Sequence, residues 1–238
     1  MVQKILAAVA GAAVAVGGAM APAVSQAQVS YNVGAVSDYR YRGISQTRLK
    51  PALQGGVDYT AGGLYVGAWA STIKWIEDAG GGANVELDLY GGYKGEFSKG
   101  FGYDVGVLAY IYPGHDLAVS PQTTEIYGAL TYGPATLKYS HSVTNLFGFD
   151  DSKNSGYIDL AATFEITDGW MITPHIGRQT VKNTSAASYT DASLTVFKDF
   201  SGLVVSLGVV DARTGVYVGP NNKDLGKRGV VLGVKYNF

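Results

Sequence analysis

The chain has 238 residues, 18 basic and 19 acidic, for a net charge of −1, and it has no cysteine. That balance leaves no basic excess to hold nucleic acid, and the missing thiols exclude disulfides and thiolate metal sites. Glycine (33) and tyrosine (17) are abundant, proline is scarce (7), and the mean hydropathy of +0.08 is low for a helical membrane protein but ordinary for a barrel with a polar lumen.

At the amino terminus Lys4 gives a short basic start, residues 5–20 are apolar and rich in Ala and Gly, Pro22 breaks the run, and Ser25-Gln26-Ala27 fits a small-x-small cleavage site. This pattern predicts a secretory signal peptide, residues 1–27, and a single mature domain, residues 28–238. The apolar run is short and glycine-interrupted for a spanning helix, which needs about 20 apolar residues. No later run is long enough either, so an exported chain that enters a membrane must do so as strands.

Apolar and polar residues then alternate with period two through the mature region, the signature of strands with one greasy and one wet face. In residues 29–42, Val29, Tyr31, Val33, Ala35, Tyr39 and Tyr41 share the outward face. Ser30, Asn32, Asp38, Arg40 and Arg42 share the inward one. Residues 49–59 set Leu53 and Val57 outward against Lys50, Gln54 and Asp58. Residues 64–73 are ambiguous, because Tyr65 and Trp69 oppose Leu64 and Val66. Residues 85–93 and 101–111 are clear, with Glu86, Asp88 and Asp104 inward. Residues 123–132, 135–144, 157–166, 170–179 and 189–197 follow, placing Glu125, Lys138, Asp159, Glu165, His175 and Asp191 inward. Residues 203–210 are greasy on both faces apart from Ser206 and Gly208. The last strand carries Val230, Leu232, Val234, Tyr236 and Phe238 on one face and ends on an aromatic.

These segments predict an all-β fold: a transmembrane antiparallel up-and-down β-barrel of about twelve strands. An even count suits a single-chain bacterial barrel, although a ten-strand register also fits if residues 64–73 or 203–210 are misread. Short connections alternate with long ones, as periplasmic turns alternate with outer loops. Lys94 to Gly100 is read here as one of the inner connections. Aromatics fall at the turn end of the strands: Tyr59, Tyr93, Phe101, Tyr103, Tyr132, Phe164, Trp170, Tyr236 and Phe238. Tyr39 and Tyr41 are expected at the opposite boundary. The expected partners are outer-membrane lipid and the barrel-assembly machinery, since the closing strand resembles the one that machinery reads. The expected location is the bacterial outer membrane.

The segment SDYRYRGISQT, residues 37–47, followed by a strand, a glycine turn and LYVGAWAS, residues 64–71, resembles the TorF-type porin family of proteobacteria. The resemblance extends over nearly all of the mature chain. It implies an outer-membrane barrel that forms a pore, and it brings no list of functional residues.

Catalytic and metal patterns are weak. A phospholipase-type barrel needs His and Ser two residues apart on one lipid-facing strand, but two residues after His141 stands Val143, while Ser142 points the other way. The three histidines are scattered. The oxygen-rich run Asp150, Asp151, Ser152 and Asn154 lacks the glycine and distal glutamate of an EF-hand. No enzyme activity, metal or cofactor is expected.

The inward face carries the functional expectation. Its predicted lining includes Asp38, Arg40, Arg42, Lys50, Glu86, Asp88, Asp104, Glu125, Lys138, Asp159, His175 and Asp191. Adding Asp58, Glu165 and Lys235 gives nine acids against five bases. Charges in a narrow bore act strongly on passing ions, so the expected function is passive diffusion of small polar solutes or ions with a weak cation preference. The alternative is a non-conducting barrel, filled by its own side chains, that acts through its outer loops.

Overall fold

The computed structural model describes residues 27–238; the predicted signal peptide, residues 1–27, lies outside the described residues apart from Ala27. Twelve antiparallel strands form a closed barrel: β1 (Gln28–Val36), β2 (Ala52–Ala61), β3 (Leu64–Thr72), β4 (Val85–Ser98), β5 (Phe101–Ile111), β6 (Thr123–Tyr132), β7 (Ala135–Ser142), β8 (Gly156–Ala162, resuming as Phe164–Thr167), β9 (Trp170–Thr180), β10 (Tyr189–Phe200), β11 (Leu203–Arg213) and β12 (Gly229–Asn237). Each strand pairs with its sequence neighbours, and β1 closes the sheet on β12, with Val33 opposite Tyr236 and Val36 opposite Gly233. Closure satisfies every strand edge, as hydrocarbon requires. Both ends of the barrel chain meet at one rim, where the Phe238 N–H donates to the Tyr31 carbonyl at 2.9 Å.

The interruption of β8 has a local cause. Register is continuous across it, from Ala161 opposite His175 to Phe164 opposite Ile172. The gap falls beside Pro174, which has no N–H to give to its neighbour. Pro174 itself points outward and is exposed, where lack of a donor costs one ladder bond and nothing more.

Five two-residue turns join the strands at one rim: Gly62-Gly63, Lys99-Gly100, Gly133-Pro134, Asp168-Gly169 and Ser201-Gly202. In Asp168-Gly169 and Ser201-Gly202 both residues have positive φ (47° and 76°; 61° and 103°), the backbone of a turn that matches strand twist. The opposite rim carries the long connections, one of which holds the single-turn helix α1 (Trp75–Asp78). Two sequence-based boundaries move as a result. The connection expected over Lys94 to Gly100 is mostly strand, because β4 runs to Ser98, and β10 likewise runs to Phe200.

Exposure follows the alternation. On β12, Val230, Leu232, Val234, Tyr236 and Phe238 are all exposed, while Gly233 between them is buried. At about 3.3 Å per residue and a strand tilt near 40°, that outward run covers roughly 20 Å, close to the ~25 Å apolar band of a membrane barrel. The ambiguity at β3 resolves by size of bore: Leu64 and Val66 face out, and Tyr65 and Trp69 fill the interior. At the turn rim the predicted aromatic girdle is present, joined by Phe97 and Phe200, with ring pairs such as Phe101–Tyr132 at 4.2 Å and Tyr236–Phe238 at 4.9 Å. Tyr39 and Tyr41 do not sit at the opposite lipid boundary. β1 ends at Val36, and both tyrosines lie inside the barrel, Tyr39 with 3 % of its surface exposed.

Val234 stands at the centre of the outward run of β12. Replacing it with Arg puts a guanidinium at mid-bilayer and is expected to lower the stability of the refolded barrel by about 2–4 kcal/mol, measured by denaturant titration in lipid vesicles. An inward change at neighbouring Lys235 to Gln is expected to stay within about 1 kcal/mol.

Candidate functional site

After β1 the chain turns into the barrel instead of continuing the wall. Residues 37–50 form an inward segment built on a miniature hairpin in which Arg40 pairs with Ser45 and Tyr41 with Ile44. Its turn is Arg42-Gly43, with φ of 46° and 81°. Gly43 is required twice over: for the positive φ, and because a Cβ there would lie 2.7 Å from that of Asp191 and 2.8 Å from that of Ala212. Asp38 holds the hairpin from within, accepting from Arg40 Nε and Ser45 Oγ at 2.5 Å each and from Thr47 Oγ1 at 3.4 Å. The Thr47 hydroxyl accepts from the Tyr39 N–H at 3.2 Å and the Ser45 hydroxyl from the Leu49 N–H at 2.8 Å. Backbone donors and acceptors that leave a strand inside a barrel need such partners.

The segment crosses the bore and touches most of its wall. Tyr39 donates to Glu86 of β4 at 2.5 Å, and Tyr112 donates to the other oxygen of the same carboxylate at 2.9 Å. Arg42 grips Glu125 of β6 through two parallel bonds of 2.7 and 3.0 Å and donates to Gln179 of β9 at 2.7 Å. Its guanidinium lies 4.2 Å from the ring centre of Tyr157 on β8 and 4.8 Å from that of Tyr41. Arg40 donates to the carbonyls of Leu225 and Lys227, just before β12, at 3.1 Å each. Tyr41 bonds Tyr110 of β5 at 2.6 Å. Tyr39, Trp69, Ile73, Ile76 and Tyr112 pack into a buried cluster over this layer. At this level the bore is filled with side chains.

The half of the lumen nearer the turns is different. Its wall is polar and only partly buried: Asp58, Tyr65, Tyr90, Lys94, Asp104, Tyr127, Lys138 and Lys235. Tyr90 donates to Asp58 and Tyr65 to Asp104, each at 2.6 Å, and Tyr65 also bonds Tyr127. Lys138 lies 4.0 Å over the Tyr127 ring. Lys94, Lys138 and Lys235 make no ion pair among the described residues. Register joins the charges into a row across adjacent strands. Lys94 is opposite Asp104, Asp104 opposite Ala129, Ala129 opposite Lys138, Lys138 opposite Asp159, Asp159 opposite Gly177 and Gly177 opposite Asp191. Charge therefore alternates from Lys94 to Asp159 and ends on a second acid, Asp191, beside the inward segment, where it accepts from Tyr157 at 3.0 Å and faces His175 at 3.7 Å.

Of the residues expected to line the lumen, Glu86, Asp88, Asp104, Glu125, Lys138, Asp159, His175 and Asp191 occupy inward wall positions. Asp38, Arg40 and Arg42 are inside too, but on the crossing segment and not on a wall strand. Lys50 does not face the lumen: β2 begins at Ala52, and Lys50 is exposed in the preceding loop. Glu165 is also exposed and caps the Asp168-Gly169 turn, accepting from the Gly169 N–H at 2.9 Å. The sequence-based lining omits Lys94, because the clear alternation of β4 ends at Tyr93. It also omits Tyr110, Tyr112 and Tyr157, whose tyrosines at inward parity are the available signal for a filled layer. Asp88 is buried with one carboxylate oxygen unpartnered.

His141 and Ser142 lie on opposite faces: His141 bonds Asn154 at 3.2 Å, while buried Ser142 donates to the Thr144 carbonyl at 2.5 Å. Among the described residues no group of three or more His, Asp or Glu is arranged to hold a metal ion. Asp151 of the oxygen-rich run instead accepts from Asn183 at 2.9 Å, tying two outer loops together.

The closed twelve-strand antiparallel barrel has outer-membrane porins among its structural neighbours. The chain belongs to the family described as "Bacterial protein of unknown function (Gcw_chp)", whose model matches residues 20–238. Among solved structures it is similar to the KdgM porin, at 8 % identity and TM-score 0.57 over 88 % of this chain and 98 % of that one. It is also similar to the NanC porin, at 12 % identity and TM-score 0.55 over 89 % and 99 %. A third likeness is to an outer membrane channel from Pseudomonas putida F1, at 10 % identity and TM-score 0.52 over 94 % and 98 %. At these identities the likeness is one of fold. No curated protein matches the chain.

The Arg42–Glu125 pair is buried on both sides, and removing one partner of such a pair typically costs 3–5 kcal/mol. Arg42→Ala is therefore expected to speed amide exchange of residues 38–49 on the order of a hundredfold, read by hydrogen-exchange mass spectrometry, with the wall strands unchanged. The isosteric double change Arg42→Met with Glu125→Leu is expected to restore most of the protection, because no buried charge is left alone.

Proposed function

We propose that this protein is a channel of the bacterial outer membrane that passes small cations and small neutral polar solutes by diffusion, and that its outer half is closed in the resting state by the inward segment. The observation that carries this reading is the polar, only partly buried inner half of the lumen. Three lysines and several carboxylates there line a bore with no ion pairs to seal it, a costly interior for a barrel with only a structural role. The likeness of residues 37–47 and 64–71 to the TorF-type porin family and the porin-like fold support the same reading. So do the leader expected at residues 1–27 and the aromatic closing strand Val230, Leu232, Val234, Tyr236 and Phe238, which suits recognition by the assembly machinery.

The cation preference rests on the layer around the inward segment. Asp38, Glu86, Asp88, Glu125 and Asp191 are buried there against only Arg40 and Arg42. In the inner half Asp58, Asp104 and Asp159 are balanced by Lys94, Lys138 and Lys235. A solute that passes must cross the acidic layer, where a desolvated field disfavours anions. One structure of the KdgM porin is in complex with disordered oligogalacturonate; such a polyanion is a poor fit to the acidic layer of this chain. A second reading, a non-conducting barrel that works through its outer loops, is favoured by one observation: the side chains of residues 38–47 fill the bore at their level.

Planar-bilayer recordings on the purified, refolded barrel separate the two. Wild type is expected to give small discrete steps with a reversal potential toward cations in a salt gradient. Arg42→Ser combined with Tyr39→Phe is expected to give larger or more frequent steps, since two of the segment's wall anchors are weakened. Silence from both proteins would end the channel reading, and reversal toward anions would end the cation preference.

A further inference from the structure

The chain has six arginines. Arg40, Arg42 and Arg48 belong to the inward segment, and the other three converge on one patch of the lipid-facing wall. Arg178 on β9 and Arg213 on β11 both stand beside Thr190 of β10 in the register, and Arg228 immediately precedes β12. Arg178 donates to Thr190 at 3.2 Å. Arg228 and Arg213 share one acid, Asp211, at 3.2 and 3.9 Å, and remain largely exposed, with 71 % and 84 % of their side-chain surface free. Two guanidiniums share a single carboxylate, and the third, Arg178, bonds only a hydroxyl.

The height of the patch is informative. Below it the outward positions are apolar on each strand: Ile176 on β9, Ala192 on β10, Val209 on β11 and Val230 on β12. The arginines thus stand where the apolar band ends on the side of the long loops. Beside Arg178 a shallow groove of about 240 Å³ runs down the wall between Leu137, Ile158, Leu160 and Ile176, with Arg178 and Thr190 at its upper end. A charged crown above an apolar slot matches an amphiphile whose anionic head meets the guanidiniums and whose chain lies in the slot. Arginine is the side chain suited to this role, since its planar fork donates two parallel bonds to one phosphate.

We propose that this face is a binding site for a phosphate-bearing lipid of the outer leaflet, held by Arg178, Arg213 and Arg228. The site rests on the outer-membrane placement proposed above, but it is independent of conduction.

The test uses the full mature barrel in detergent, with native mass spectrometry to read retained lipid. The probes are bis-phosphorylated lipid A, the same lipid with its phosphates removed, and inorganic pyrophosphate. Wild type is expected to hold the phosphorylated lipid at least about tenfold more tightly than the dephosphorylated one, a modest demand on charge-assisted bonds. Changing all three arginines to Gln is expected to abolish that difference, with folding verified by heat-modifiable gel mobility. A triple change to Lys, which keeps the charge and loses the fork, is expected to retain part of it. Equal binding of the two lipids by wild type, or an undiminished preference in the Gln variant, would overturn the site. Displacement of the lipid by equimolar pyrophosphate would also overturn it, by making free phosphate the ligand. Membrane fractionation keeps the two readings apart: absence of the native protein from the outer-membrane fraction would sink the placement, whatever the detergent assay gives.

Discussion

The constraint on which the rest of the structure depends is the backbone. A strand surrounded by hydrocarbon has no water to satisfy its N–H and C=O groups, so each edge must find another strand and the sheet must close. Here the closure is made by β1 on β12. Once the sheet is closed, strand geometry sends alternate side chains to lipid and to the interior. The exposed rows of Val, Leu and Ile, the aromatic rim and the inward carboxylates and lysines are all consequences of that one alternation. Even the interruption of β8 at Thr163 traces to a missing donor on Pro174 and not to a change of architecture.

Closure creates a second problem, the interior. A bore of twelve strands is too wide for wall side chains alone to fill and too narrow to stay indifferent to its charges. The chain meets this in two ways along the axis. In the half nearer the turns it leaves polar groups only partly buried, and Lys94, Lys138 and Lys235 stand there in no ion pair among the described residues. In the other half it folds residues 37–50 inward, and there the buried arginines are paired, Arg40 with Asp38 and Arg42 with Glu125. Tyrosine supplies much of this filling. Tyr39, Tyr110, Tyr112 and Tyr157 present ring surface for packing and a hydroxyl to a buried carboxylate, a combination no aliphatic residue supplies.

Much of this was legible in the sequence. A barrel of about twelve strands, the facing of most of them and the side of the short turns follow from period two and from Gly-containing pairs, whereas the facing of residues 64–73 does not. The inward segment was not legible for a specific reason. The alternation of β1 continues past Val36 through Asp38, Tyr39, Arg40, Tyr41 and Arg42, so a hairpin that turns into the bore carries the same pattern as a strand that runs on. The discriminating residue is Gly43, whose place against Asp191 and Ala212 depends on partners about 150 residues away, a distance at which local pattern carries no information. The extra lengths of β4 and β10 escape the sequence because Lys94 and Lys198 read as loop residues, whereas an inward lysine in water and an outward one beside Trp170 at the girdle are both compatible with strand.

The two halves of the lumen also imply an order of events for anything that crosses. The filled layer lies on the side of the long loops, so a solute arriving from that side meets the inward segment before it meets the hydrated bore. Within the segment the bonds differ in kind. Asp38, Ser45 and Thr47 bind the hairpin to itself, whereas Tyr39–Glu86, Tyr41–Tyr110, Arg42–Glu125, Arg42–Gln179 and the bonds from Arg40 to the Leu225 and Lys227 carbonyls bind it to the rest of the barrel. Breaking the second set leaves the first intact, so the segment has the means to move as a preformed unit and need not unravel. Its swing would uncover Glu86, Asp88 and Glu125 together. On the proposed channel reading, such an opening would expose carboxylates at the moment of passage, and Glu86 and Glu125, which hold the segment in place, would then line the path.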